Sequence, residues 1–320
     1  LLVIKGKANP LETDSLYLLC LSVRNGKSMS LSAIMMQLFN GLISGSFYVL
    51  LSIGLTIIFG MMGVVNFAQG ALYMLGAYTA YSWVYLIGGS FWLALILAPL
   101  TVGLIGAFLE RAFLQRLYNV EPLYNLLLTF GIMLALQDTI RIFFGPIEKK
   151  FDIPEALEGA VNLGFMYYPK YRLFIIAMTA LFVIAVWIFI GKTKLGAIIR
   201  AGTEDSEMVD AMGIDVRKVF TATFGIGSAL AGVAGVLASP IQNIKPWMGM
   251  DFLVPIFVVV VIGGMGSIGG SILGGLIIGE VITLGVMLWP PIAHTLIYVI
   301  MAIILLIRPR GLFGMAEFHD

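Results

Sequence analysis

The sequence predicts an all-α, polytopic membrane protein of about eight or nine transmembrane segments, and three observations carry that prediction. No residue between Lys27 and Glu110 is charged, although the stretch can cross a bilayer several times at about 20 residues per helical span. The same pattern returns at 219–244, 252–279 and 281–307. Composition agrees, with 60% hydrophobic residues and only 12% charged. A water-soluble helix needs charged positions on its exposed face, so these runs are solvated by lipid and by one another.

Residues 1–28 differ in character from the rest of the chain. They are mixed and polar, with Lys5, Lys7, Glu12, Asp14, Arg24 and Lys27. Leu16 to Leu21 is too short for a signal-peptide core. The expectation is a start at Met29 with 1–28 as non-native or disordered sequence, the alternative being a genuine extramembrane extension. Residues 24–28 read RNGKS, but position 21 is Leu where a P-loop needs Gly.

From Met29 onward the chain reads as one membrane domain, 29–320. Apolar runs set against Gly, Pro and charge punctuation give spans near 34–59, 67–87, 91–109, 122–144, 172–191, 219–240, 252–267, 271–289 and 291–307. Glycine is dense at 60–70 and 263–275, which marks a turn, a broken helix or a tightly packed one. Alternation places 110–121, 192–218 and the tail after 307 on one side, with nine basic residues against five on the other. The positive-inside rule puts that side in the cytoplasm.

The loop 192–218 holds five basic and five acidic residues. Within it Glu204, Asp205, Glu207, Met208, Met212, Gly213 and Ile214 belong to a short amphipathic helix, with Thr203 as the expected N-cap and Gly213 closing it. Such a helix either presents side chains to a partner or keeps a connector compact.

Four stretches carry a family resemblance. GLTIIFGMMGVVNFAQGALYMLGAY (54–78), GAIIRAGTEDSEMVDAMGIDVRKV (196–219), VIGGMGSIGGSILGGLIIG (261–279) and RPRGLFG (308–314) resemble, in order, the landmarks of branched-chain amino acid ABC transporter permeases. Asn66, Phe67, Ala68 and Gly70 fall in a motif that commonly has His where this chain has Gln69, and often an acid where it has Ala71. These departures bear on substrate detail. The resemblance implies a bacterial inner-membrane importer subunit for leucine, isoleucine or valine, with no cofactor of its own. It also implies a second related permease as heterodimer partner, two ATP-binding subunits, with the 203–214 helix as the coupling helix that docks into a groove of one of them, and an extracytoplasmic substrate-binding protein. No GxxxxGK[ST] pattern occurs in the chain, so ATP-driven transport requires the ATPase on partner chains. A urea or short-chain amide importer permease of the same family is the first alternative. An ion-coupled secondary transporter is the second, with few intramembrane ionisable residues to serve it.

Thirty-seven glycines include small-xxx-small spacings at Gly41/Gly45, Gly266/Gly270/Gly274 and Gly275/Gly279, which suit close helix approach. Gly264, Gly266 and Gly269 fit a dinucleotide fingerprint by spacing, but without the soluble α/β setting that motif needs. Gly60, Met62, Gly63, Val65 and Gly263, Met265, Gly266, Ile268 share G-x-M-G-x-[VI]. Paired glycine interruptions in two halves of a transporter point to its pathway, here at Asn66, Phe67, Gln69, Gly70, Gly263 and Gly266. Asn66 and Gln69 either bind substrate or line a wet cavity, or else bond across helices. Glu280, an acid in an apolar run, joins the pathway set, and Asp138 with Arg141 reads as a structural pair. One cysteine, Cys20, and two histidines, His294 and His319, leave no material for a metal centre. A net charge of +1 argues against a nucleic-acid partner.

Overall fold

The computed structural model describes residues 31–118, 120–162 and 167–314. The expectation about 1–28 and Met29 lies outside them. Among the described residues, nine apolar helices match the predicted spans: α1 (Leu31–Met62), α2 (Ala68–Tyr81), α3 (Phe91–Ala112), α4 (Pro122–Phe144), α5 (Lys170–Lys192), then α8 (Val216–Ala238), α9 (Met248–Gly263), α10 (Ile268–Leu288) and α11 (Ala293–Ile307). Between α5 and α8 lie two short helices, α6 (Lys194–Glu204) and α7 (Ser206–Ala211). Six of the nine are long and apolar enough to cross a membrane, and α9 and α11 are shorter apolar helices. A π-helical turn, Ser82–Leu86, extends α2. A small hairpin, β1 (Ala160–Asn162) with antiparallel β2 (Tyr167–Pro169), precedes α5.

Helix starts are set locally. Ser90, Thr193, Asp205, Asp215 and Ser267 each accept a backbone N–H of the first turn they precede, satisfying a donor that a helix leaves orphaned. Pro122 opens α4 and Gly145, at φ +80°, follows its end, the usual division of labour between these residues.

The helices are not equivalent. In α1, 83% of the most apolar window is buried, and in α8 72%, against 22% in α4 and in α5. So α1 and α8 form the centre, while α4 and α5 carry lipid-facing side chains. Lipid removes the hydrophobic gain from helix association, and close backbone contact replaces it. The faces of α8 show how. A methyl placed on Gly54 of α1 would lie 2.6 Å from the Gly227 carbonyl oxygen, and one on Gly76 of α2 would lie 2.5 Å from that of Gly232. The Gly41/Gly45 pair of α1 meets Gly275 and Gly279 of α10 in the same way, as the spacing predicts.

The connections sort to two ends. At one, Tyr85 donates to Asp152 (2.8 Å), Lys149 pairs with Ile244, Asn243 donates to Glu148 (2.9 Å), and Arg172 donates to Asn40 (2.7 Å). The other gathers α6, α7, the 113–118 turn, the α9–α10 connection and residues 308–314. This is the basic end.

Candidate functional site

The first helix break, 63–67, separates α1 from α2. Gly63 has φ +63°, a conformation open to glycine and costly for a residue with a Cβ. The chain then runs inward rather than along the surface. Phe67 N donates to Thr129 Oγ1 (3.3 Å), and Thr129 Oγ1 also donates to Val65 O (3.3 Å). Gln69 Nε2 donates to Gly227 O (3.2 Å) and to Leu51 O (3.4 Å). From Met62 back to Leu51 the α1 axis covers roughly 16 Å at about 1.5 Å per residue, so α2 begins well inside the bundle. Val64 and Asn66 are buried, meeting the condition on which irregular backbone is tolerated at membrane depth.

Asn66 Oδ1 accepts from Ala68 N (3.0 Å), leaving Nδ2 without a partner, and Gln69 Oε1 also has none. The cavity beside them, bounded by Leu55, Phe67, Gly70, Ile256 and Phe257, amounts to about 10 Å³, room for about one water. At this level the structure is closed to an amino acid. Gly70 lies against the Gly249 carbonyl of α9, so α2 has no space to shift there without α9.

The second break, 264–267, repeats the first. Gly264 and Gly266 have φ +99° and +85°, and Ser267 caps α10 by accepting from Gly270 N (3.2 Å). The two G-x-M-G-x-[VI] copies meet in space. A methyl on Gly60 would lie 3.3 Å from Gly266 Cα and 3.3 Å from Thr203 Cγ2. Leu312 N donates to Ile262 O (2.8 Å) and Phe313 N to Gly263 O (3.0 Å). All four stretches singled out in the sequence therefore converge at the basic end.

The loop 192–218 corrects one expectation. Thr203 is not an N-cap: it lies in the last turn of α6, its Oγ1 donating to Arg200 O (2.6 Å). Asp205 caps α7, its Oδ1 accepting from Met208 N (2.9 Å). The amphipathic run 194–204 continues as helix through Thr203, and the stronger capping residue two places on takes the junction. Glu204 thus ends α6 and Asp205 stands between two helices. Val209 is buried and anchors α7, while Glu207, Met208 and Met212 are exposed, the two methionines at 59% and 74%. Gly213 closes the turn at φ +83°, its N–H bonded to Asp210 O (2.9 Å), and Ile214 is half-buried behind it. Gly202 of α6 rests on the Met61 thioether at the end of α1.

Glu280 does not join this cluster. Its carboxylate lies against Gly41 of α1, with Oε2 unpartnered, while Gln69 bonds at Leu51. Those two levels of α1 are roughly 15 Å apart at about 1.5 Å per residue. Asp138 and Arg141 do pair, at 3.8 Å, with both side chains largely exposed.

Sequence reasoning passed over Glu110. Its side chain is fully buried, accepting from Thr221 Oγ1 (2.6 Å), from Gln115 Nε2 (3.3 Å) and from the Tyr118 hydroxyl. It ties the end of α3 and the following turn to the start of α8. The signal was its place as the charge that ends the long apolar run.

The family model for the branched-chain amino acid transport system permease component matches residues 37–306. The chain belongs to this family. Among curated relatives, the high-affinity branched-chain amino acid transport system permease protein LivH of Salmonella typhimurium is 31% identical over 301 residues, covering 88% of this chain and 96% of the relative. The corresponding BraD of Pseudomonas aeruginosa is 31% identical over 298 residues, with the same coverages. The permease protein LivM of Escherichia coli is 28% identical over 244 residues, covering 69% of this chain and 57% of LivM. This branched-chain permease family member is thus similar to both named types, LivH along nearly its whole length. No solved structure matches the chain.

Proposed function

We propose that the chain is the LivH-like half of a bacterial inner-membrane importer that moves leucine, isoleucine or valine into the cytoplasm. A second, LivM-like permease completes the pathway, two ATP-binding subunits dock on α6 and α7, and a binding protein delivers substrate at the opposite end. The observation that carries this reading is the convergence of the exposed α7 face with both glycine breaks. Movement of α7 and α6 by an ATPase passes to the end of α1 through Gly202 against Met61 and Thr203 against Gly60, and from Gly60 to the second break through Gly266. The breaks are where backbone can re-aim without dismantling a helix, as alternating access requires.

Substrate passage falls to Asn66, Phe67, Gln69 and Gly70 at the first break and, nearer the basic end, to Gly263 and Gly266 at the second, where Gly266 meets Gly60. An amino acid carries both donors and acceptors, and Asn66 Nδ2 with Gln69 Oε1 are one of each, unspent. Opening the cavity beside them requires parting α2 from α9 at Gly70 and Gly249. Glu280 stands apart, near the delivery end.

The test is uptake of labelled leucine, with urea in parallel, by cells with and without the gene, before and after ATP depletion. ATP-dependent loss of leucine uptake on deletion is the expected result. Loss of urea uptake alone, or leucine uptake that follows ion gradients instead, would refute the proposal.

A further inference from the structure

Between α3 and α8 at the basic end runs a trough of about 630 Å³. Its floor is the close contact of the two helices at Gly103 and Gly225, where a methyl on Gly103 would lie 3.1 Å from the Gly225 carbonyl oxygen; Ala107 and Ala222 add little bulk above it, and Leu100 and Ile226 wall its inner end. Its mouth is cationic. Arg111, Arg217 and Lys218 line it, all exposed, with Asp215. Lys218 is held by Asp215 at 3.0 Å, whereas Arg111 and Arg217 form no salt bridge among the described residues. Glu110, the acid beside Arg111, is turned inward to Tyr118, Gln115 and Thr221 and is spent there.

We propose that this trough binds an anionic phospholipid, the phosphate between Arg111 and Arg217 and an acyl chain along the small-residue floor. From Arg111 to Leu100 the α3 axis covers roughly 16 Å at about 1.5 Å per residue, half of a hydrocarbon core about 30 Å thick. The trough is therefore one leaflet deep, with its charge at headgroup level. Basic pockets between spans on the cytoplasmic side recognise anionic headgroups by this arrangement. An uncharged lipid would leave both exposed guanidinium groups without a salt-bridge partner at the mouth. A second trough, about 580 Å³ between the end of α3 and α4, is lined by Leu109, Phe113, Tyr124, Leu127 and other uncharged residues. It offers an acyl chain the same apolar contact with no charge to select a headgroup.

The test uses the complete transporter, purified with its partner subunits and examined by native mass spectrometry during titration with phosphatidylglycerol or phosphatidylcholine. Phosphatidylglycerol is expected to be retained about tenfold more strongly, and the double variant Arg111→Gln, Arg217→Gln is expected to erase that preference while leaving phosphatidylcholine retention unchanged. Arg111→Lys with Arg217→Lys retains the preference, and Ala222→Phe excludes the bound lipid while the subunits stay together. Equal retention of the two lipids, or an unchanged preference in the glutamine variant, overturns the proposal. So does a cysteine at Ala222 that cross-links to the companion permease, because protein and not lipid then fills the trough.

Discussion

Asp205 closes α6 with its backbone amide, which donates to Ala201 O, and opens α7 with its carboxylate. Replacing it with alanine removes the acceptor for Met208 N and costs α7 about 1 kcal/mol, so Asp205→Ala is expected to reduce co-purification of the ATPase subunits severalfold. Asp205→Asn keeps a capping oxygen and is expected to retain them. Equal loss in both variants would mean that the charge, not the cap, is what the partner reads. Glu110 gives a second prediction. Glu110→Ala takes the shared acceptor from three half-buried donors, of which Thr221 keeps Arg217 O, at about 1–3 kcal/mol for a group left unsatisfied, and is expected to lower the thermal midpoint of the purified protein while Thr221→Val lowers it less. Neither residue was legible in its role. Thr203 and Asp205 are both good capping residues two positions apart, and propensity alone does not say where the preceding helix stops. Glu110 read only as the boundary of an apolar run, because its three donors come from Gln115, Tyr118 and, far along the chain, Thr221.

Among the helices, α8 is the axle against which α1, α2 and α3 rest. The small-xxx-small spacing announced close packing, but spacing shows that a face is small without naming what lies against it. That Gly54 meets Gly227, and Gly41 meets Gly279, required the three-dimensional arrangement. A valine at Gly227 would press on the Gly54 backbone, since even a methyl there would lie 2.7 Å from the Gly54 carbonyl oxygen. Gly227→Val is therefore expected to lower the yield of folded protein by an amount typical of core overpacking, about 1–3 kcal/mol. Gly269→Ala, where nothing lies within reach of the added methyl, is expected to be nearly neutral. Comparing fluorescence-detected size-exclusion profiles of the two variants checks this. The two breaks were legible as glycine density, and their union was foreshadowed by the shared G-x-M-G-x-[VI] pattern. That Thr203 would pack on Gly60 beside them was not, because nothing in a loop sequence records what it rests upon.

For the molecule as a whole, the charge map makes a sidedness prediction. With Cys20 replaced, a cysteine at Met212 is expected to react with a membrane-impermeant maleimide only after the cells are opened, and one at Tyr167, which is 71% exposed at the start of β2, is expected to react in intact cells. The reverse pattern would invert the importer. The nine apolar segments were legible almost to their ends, since an apolar run bounded by Gly, Pro or charge has few other ways to exist in lipid. The short α2 is the exception. The run 67–87 reads as an ordinary span, but its first residues hang from Thr129, Leu51 and Gly227, partners that periodicity does not reveal.

Residues 308–314 have a consequence in time as well as in space. The amides of Leu312 and Phe313 donate to the carbonyls of Ile262 and Gly263, at the second break. A chain emerging from the ribosome delivers these residues after every other part of that break has been inserted. Of the segments that converge at the basic end, this one is synthesised last. A nascent chain that has not yet reached it leaves the Ile262 and Gly263 carbonyls without these two amides.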